Sequence, residues 1–187
     1  MSDAFLSRTA DAADLPAIED LHDRVFGPGA LTRTAYRIRE GIAPLSMFCR
    51  VGLAGSRLIA CVRFTPVRIG RRAGALLLGP LSVAPEFANQ GFGRRLVREG
   101  LDQARRSGVE IVVLVGDMAY YDRLGFKPVP RGTILLPGPV DLDRLLVAEL
   151  IVDASGEFRG HVTAERDEPT HSTQLQAVMP TTARTDG

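Results

Sequence analysis

Leu81-Ser82-Val83-Ala84-Pro85-Glu86-Phe87-Ala88-Asn89-Gln90-Gly91-Phe92-Gly93-Arg94-Arg95-Leu96 links an apolar run, Ala75 to Val83, to an amphipathic run, Arg94 to Arg106. Two glycines bracket a single residue at the junction, so the segment reads as strand, glycine loop and helix. The first N–H groups of a helix have no partner within it, and its N-terminus carries roughly half a positive charge. A glycine turn there can bring backbone close to an anion such as a pyrophosphate. Ala88, Asn89, Gln90, Gly91, Phe92, Gly93 and Arg94 are therefore candidate phosphate-binding residues.

Other patterns explain the loop less well. A P-loop ends in Gly-Lys-Ser/Thr, whereas Arg94 and Arg95 follow Gly93 and the chain's one lysine is Lys127. A dinucleotide fingerprint wants a third glycine where Leu96 stands and an acid at the far end of the next strand. Glu110 precedes the apolar run Ile111 to Val115 and so sits at the wrong end.

The segment resembles the acetyl-CoA-binding core of the GNAT superfamily of N-acetyltransferases, whose pattern is Arg or Gln, two residues, Gly, one residue, then Gly or Ala. Gly91-Phe92-Gly93 match it, and Ala88 stands where Arg or Gln is usual. Farther on, Ala119-Tyr120-Tyr121-Asp122-Arg123-Leu124-Gly125-Phe126 resembles the second signature of the family, a tyrosine four residues before Gly-Phe. The resemblance runs from about Asp11 to Val129. It implies acetyl-CoA as co-substrate, an amine as acceptor and direct acyl transfer without a covalent enzyme intermediate.

Work outward from this core gives the fold. Leu45 to Leu53, Leu58 to Ile69 and Ala75 to Val83 are β-rich and separated by Ala54-Gly55-Ser56 and Gly70-Arg71-Arg72, which predicts an antiparallel meander. Gly79-Pro80 interrupts the third run, and proline cannot donate a ladder hydrogen bond, so a bulge is expected there. Main-chain groups at Leu81, Ser82 and Val83 would then be free to bind. In the resembled family such freed N–H groups hold the pantetheine arm and the thioester carbonyl, which gives Leu81 and Val83 a catalytic role as oxyanion donors. The helix Gly91 to Ser107 and the unbroken apolar run Ile111 to Val115 complete a βαβ crossover. The expected class is α/β, with a mixed, mostly antiparallel central sheet, one crossover and flanking helices.

Asp117 is expected to cap the short helix that carries the tyrosines. By register with the family motif, Tyr121 is the general acid that protonates the departing thiolate, with Tyr120 its neighbour. Which of the two faces the thioester is open, because adjacent helical residues point about 100° apart. A tyrosine is protonated at neutral pH and can donate. For the base, water, Glu19, Glu40 and Asp117 all stay open.

Upstream, residues 4–9 read as an edge strand, Asp14-Leu15-Pro16 as the start of a helix capped by Asp14, and Leu31 to Glu40 as a second helix ending at Gly41. By the resemblance these helices flank the acceptor, with Glu19, Asp23, Tyr36, Arg37 and Glu40 as contacts. Downstream, Gly132 to Leu136 and Leu145 to Asp153 are expected strands around Pro137-Gly138-Pro139, and Phe158 to Thr163 a strand pairing with one of them. Residues 1–164 read as one N-acetyltransferase domain and 165–187 as a flexible tail.

Composition narrows the rest. A chain of 187 residues, 45% hydrophobic and 24% charged, suits one globular domain. Net charge +1 argues against nucleic acid as a main partner. The three histidines and two cysteines suggest no metal site, and Cys49 and Cys61 read as buried thiols in a reducing compartment. No apolar run approaches the ~20 residues of a membrane span, and no secretory leader is evident, so the cytoplasm is the expected location. A homodimer stays open. A non-catalytic acyl-CoA sensor and a nucleotide-binding protein are the competing functions, and the amine could be a small molecule, an aminoglycoside-like compound, a peptide N-terminus or a protein lysine.

Overall fold

The computed structural model describes residues 5–27 and 38–165. Nine strands are found among them: β1 (Phe5–Thr9), β2 (Arg50–Ala54), β3 (Arg57–Ile69), β4 (Arg72–Val83), β5 (Ile111–Val115), β6 (Lys127–Pro128), β7 (Ile134–Leu135), β8 (Leu145–Glu149) and β9 (Gly160–Ala164). Three α-helices lie wholly within the described residues: α1 (Leu15–Phe26), α2 (Phe92–Arg106) and α3 (Met118–Tyr121). The sheet runs β1-β2-β3-β4-β5-β8-β6, with β9 paired to both β3 and β7. Pairing is antiparallel throughout this path except at β4–β5, the parallel junction that α2 crosses.

Two apolar layers sandwich the sheet. Leu96, Val97, Leu101 and Ala104 form the buried stripe of α2 and meet Val62, Phe64, Leu76, Leu78 and Val112. The opposite face divides into a patch under α1, with Leu21, Ile59, Cys61 and Ala84, and a patch around Ile38, Val67, Leu77, Val113 and Phe158. Ile111 to Leu114 are all buried, as a strand covered on both faces requires. Among the described residues no helix is long and apolar enough to cross a membrane.

Several expectations are corrected. Asp14 makes no capping bond to α1. Asp11 caps a preceding 3-10 turn instead, and the Asp14 carboxylate accepts from the Asp11 N–H and from both terminal nitrogens of Arg8. The Arg8 hydrogen bond holds Asp14 below the usual carboxylate range. β2 starts at Arg50 rather than Leu45, because Ser46 to Cys49 form a turn closed by the Cys49 N–H on the Ser46 carbonyl. β7 does not fold back onto β8. It pairs in parallel with β9, while β8 lies antiparallel to β5 and takes Lys127–Pro128 on its far edge. Most of the expected helix 31–40, including Tyr36 and Arg37, and all of the expected tail except Glu165 lie outside the described residues.

Candidate functional site

The site begins where β4 leaves β5. Their parallel pairing covers Ala75 to Leu77 against Ile111 to Val113 and stops there, although β4 continues to Val83. On its other edge β4 stays with β3, but the register slips: Val62 pairs with Leu81 and Phe64 with Leu78. Two steps on β3 match three on β4, so one extra residue is accommodated at the Gly79-Pro80 step, a bulge that bends β4 away from β5.

Beyond the bulge the hydrogen-bond alternation can be read directly. The Ala84 N–H donates to the Ile59 carbonyl at 2.8 Å. In an antiparallel ladder successive residues point their N–H groups to opposite sides, so Ser82 also faces β3 while Leu81 and Val83 face the gap left by β5. These are two backbone donors on an open strand edge.

The second set of donors is the start of α2. A 3-10 turn at Pro85–Phe87 leads to Asn89, at φ 61°, and Gly91, at φ 86°. Left-handed backbone at Gly91 is what glycine permits without a Cβ penalty. The Arg95 N–H closes the first helical turn on the Gly91 carbonyl. Gly91 offers no side-chain cap, so the N–H groups of Phe92, Gly93 and Arg94 point out of the helix end. Gly93 must also be small: a Cβ there would lie 2.9 Å from the Tyr120 hydroxyl and 3.1 Å from Val83 Cγ2.

The third element is α3. The Asp117 carboxylate accepts from the Ala119 N–H at 2.9 Å and so caps this helix, as expected. Tyr120 and Tyr121 stack edge-on, with ring centroids 4.8 Å apart, and Tyr121 meets Phe126 at 5.5 Å. The Tyr121 ring lies against Gly116 and Leu114 at the end of β5, leaving no room for a Cβ on Gly116. Its hydroxyl has no hydrogen-bond partner among the described residues. Burial raises both tyrosines above the ordinary value, Tyr121 the more strongly; Arg94 offsets part of the rise at Tyr120.

These three elements enclose a cavity of about 570 Å³. Of the sequence candidates, Leu81, Val83, Ala88, Asn89, Gly91, Phe92, Gly93 and Arg94 line it. Ser82 does not; it is buried on the opposite face, opposite Cys61. Gln90 turns back to the Glu86 carbonyl, and Tyr121 sits behind Tyr120. Phe87, Ala119 and Arg123 line the cavity without having been singled out for it, and of the two tyrosines it is Tyr120 that lines it. The chain placed Arg123 two residues beyond the tyrosines, but no motif position marks it. With Arg94 it gives the cavity two cations and no carboxylate among the described residues.

The other side of the same gap is polar in a different way. His22 on α1 stands with Nε2 3.4 Å from the Cys61 sulfur, and burial lowers its pKa. Burial pushes the Cys61 thiol up to about 12, which removes it as a nucleophile near neutral pH. Arg63 donates to the Ala43 carbonyl at 3.0 Å, and Arg39 donates through Nε to Thr65 Oγ1 at 3.0 Å. Glu19, Asp23 and Glu40 are exposed to solvent. Among the described residues no group of three or more His, Cys, Asp or Glu side chains is placed to hold a metal ion.

Comparison with known proteins places the chain in a family. The acetyltransferase (GNAT) family profile matches residues 15–126. The uncharacterized N-acetyltransferase YhbS of Escherichia coli K12 is 33% identical over 128 residues, which is 66% of this chain and 74% of YhbS. YjhQ, another uncharacterized N-acetyltransferase of that strain, is 42% identical over 130 residues, 66% of this chain and 70% of YjhQ. The crystal structure of E. coli YhbS in complex with CoA superposes with a TM-score of 0.76 at 28% identity, covering 88% of this chain and 92% of YhbS. A GNAT family acetyltransferase from Brucella melitensis in complex with acetyl-CoA gives 0.67 at 27% identity, covering 87% and 97%.

Proposed function

The chain belongs to the acetyltransferase (GNAT) family, and from that premise we propose that it transfers an acetyl group from acetyl-CoA to a primary amine by direct attack within a ternary complex. The observation that carries this reading is the pair of outward N–H groups at Leu81 and Val83, set beside the uncapped start of α2 on one cavity. The solved structures with CoA and acetyl-CoA support the choice of co-substrate.

Each part of the site then has a task. The N–H groups of Phe92, Gly93 and Arg94 take the pyrophosphate, and the Arg94 and Arg123 side chains add charge. The open edge of β4 takes the pantetheine arm as an extra strand would be taken, with an N–H at Leu81 or Val83 on the thioester carbonyl. When the amine attacks the carbonyl carbon, negative charge gathers on that oxygen, and a donor already aimed at it stabilises the transition state without reorganising. The C–S bond breaks as the tetrahedral species collapses, and the sulfur takes a proton from Tyr121. Tyr121 suits this role by its place at the end of β5, where β4 has already turned away, and by a hydroxyl with no hydrogen-bond partner among the described residues. Tyr120, whose hydroxyl lies by Gly93, packs along the arm. Among the described residues no carboxylate lines the cavity, so the amine proton leaves to water. Most of the acceleration comes from holding amine and thioester in line.

The test is acetyl-CoA-dependent thiol release across a broad amine panel, run beside equilibrium dialysis of acetyl-CoA. Retention of acetyl-CoA with turnover of at least one amine class supports the reading. Retention without turnover of any amine turns the protein into an acyl-CoA sensor, and no retention removes the proposal.

A further inference from the structure

Arg39 is 7% exposed, and its Nη2 has no hydrogen-bond partner among the described residues. Its Nε is held by Thr65 Oγ1, so the guanidinium is oriented from one end and free at the other. Burial pushes Arg39 down to about 9, a second cation, Arg63, adds to the effect, and among the described residues no carboxylate is paired with Arg39. A buried cation without a carboxylate is costly, because transfer from water is not offset by a counter-charge. Such a group recovers that cost when an anion is seated on it.

The free nitrogen points at the bulge. It lies 4.0 Å from where a Cβ would stand on Gly79, and Gly79 supplies none. Arg39 approaches from the sheet face away from α2, because Phe64 faces α2 and its neighbour Thr65 therefore points the opposite way. The β4–β5 pairing stops at Leu77, so the N–H groups of Leu81 and Val83 lie on an unpaired strand edge between the two faces of the sheet. An anion on Arg39 would thus sit on the acceptor side of the thioester.

We propose that Arg39 binds a carboxylate of the acceptor, so that the amine acetylated belongs to a small molecule carrying its carboxylate a few bonds away, as an amino acid does. This rests on the acetyltransferase reading above. The spacing bounds the size: Gly79 and Leu81 are two residues apart, at most about 7 Å and less across the bulge, and a charged N–H to carboxylate bond takes up about 2.8 Å. That leaves room for only a short link between carboxylate and amine. A lysine within a protein chain has no carboxylate of its own, because its α-carboxyl is in a peptide bond.

The experiment compares each of the twenty amino acids with the amine left by removing its α-carboxylate, and adds taurine and O-phosphoethanolamine. Thiol release gives kcat and KM, and thermal stabilisation of the CoA-loaded protein by the same compounds gives binding without turnover. Expected is a preference of at least about tenfold for carboxylated members of some matched pairs. In Arg39→Gln the KM for those acids rises about 10- to 100-fold while the decarboxylated amines are unaffected, and Arg39→Lys restores part of the preference. If the Gln variant does not fold, Thr65→Val, which releases Nε, is expected to weaken the preference threefold or more. The proposal is overturned if decarboxylated amines serve as well as the acids, if taurine or O-phosphoethanolamine is preferred, or if no carboxylated amine is turned over or stabilises the CoA-loaded protein. It is equally overturned if a folded variant keeps the wild-type preference or loses both classes alike. Acetyl-CoA retention, measured by dialysis in every protein, separates these outcomes from failure of the acetyltransferase reading.

Discussion

The two faces of the β4–β5 gap are made of different material. On the α2 side the binding groups are main-chain: N–H groups at Leu81 and Val83 freed by a bulge, and three more at the start of a helix that lacks a side-chain cap. Side chains there serve mainly by being small, as at Gly93, or by adding charge at the rim, as at Arg94 and Arg123. On the α1 side the polar groups are side chains drawn from separate elements: His22 from α1, Arg39 from the segment after residue 37, and Cys61, Arg63 and Thr65 from alternate positions of β3. A main-chain site tolerates side-chain exchange and fails when its shape changes. A side-chain site behaves the other way round, and its specificity can be changed one residue at a time.

That contrast can be broken by substitution. The largest effect is expected from Gly93→Val, whose side chain would enter the space now held by the Tyr120 hydroxyl and Val83. Acetyl-CoA binding by calorimetry should fall by more than about 100-fold, beyond what loss of one charged contact gives; binding within fivefold of wild type would show that the cavity is not the cofactor site. Next comes Tyr121→Phe, which should lower kcat about 100-fold with the KM for acetyl-CoA unchanged; a matching loss in Tyr120→Phe instead would transfer the acid role to that residue.

The same tyrosine sharpens the pH profile. Burial holds Tyr121 above its ordinary value, so its proton is present throughout the neutral and mildly alkaline range. The acid limb should therefore not cause kcat to fall below about pH 10, the ordinary tyrosine value; a decline between pH 8 and 9 that Tyr121→Phe abolishes would contradict this. Arg94→Ala should cost acetyl-CoA affinity only about fivefold, and less as salt is raised, because the residue sits at a solvated rim. Smallest is Asp117→Ala. Removing the cap of α3 should lower unfolding stability in urea by about 1 kcal/mol, without altering which acceptors are used.

Legibility followed the same division. The strand, loop and helix around Gly91-Phe92-Gly93 could be read because each local signal, apolar run, glycine pair and amphipathic period, agrees with its neighbours along the chain. The bulge was legible from Gly79-Pro80 alone, since proline cannot sustain a ladder. Arg39 was not. Its significance comes from Thr65 and Gly79, 26 and 40 positions away, and from burial that only packing produces. Arg123 and Phe87 were missed for the same reason. The Asp14 cap was misassigned because Asp11 offers the same chemistry three residues earlier, and the partner that decides between them, Arg8, lies on β1. Short strands such as β7 follow from long-range pairing with β9, which no local pattern announces.

The central claim concerns single amides, and amide hydrogen exchange read residue by residue tests it most directly. Without ligand, Ser82 should exchange slowly because its N–H faces β3, whereas Leu81 and Val83 should exchange fast; with saturating acetyl-CoA at least one of those two, and Phe92 to Arg94, should slow markedly. Equal protection of Leu81, Ser82 and Val83 before ligand is added, or no change at 81–94 on saturation, would contradict the account.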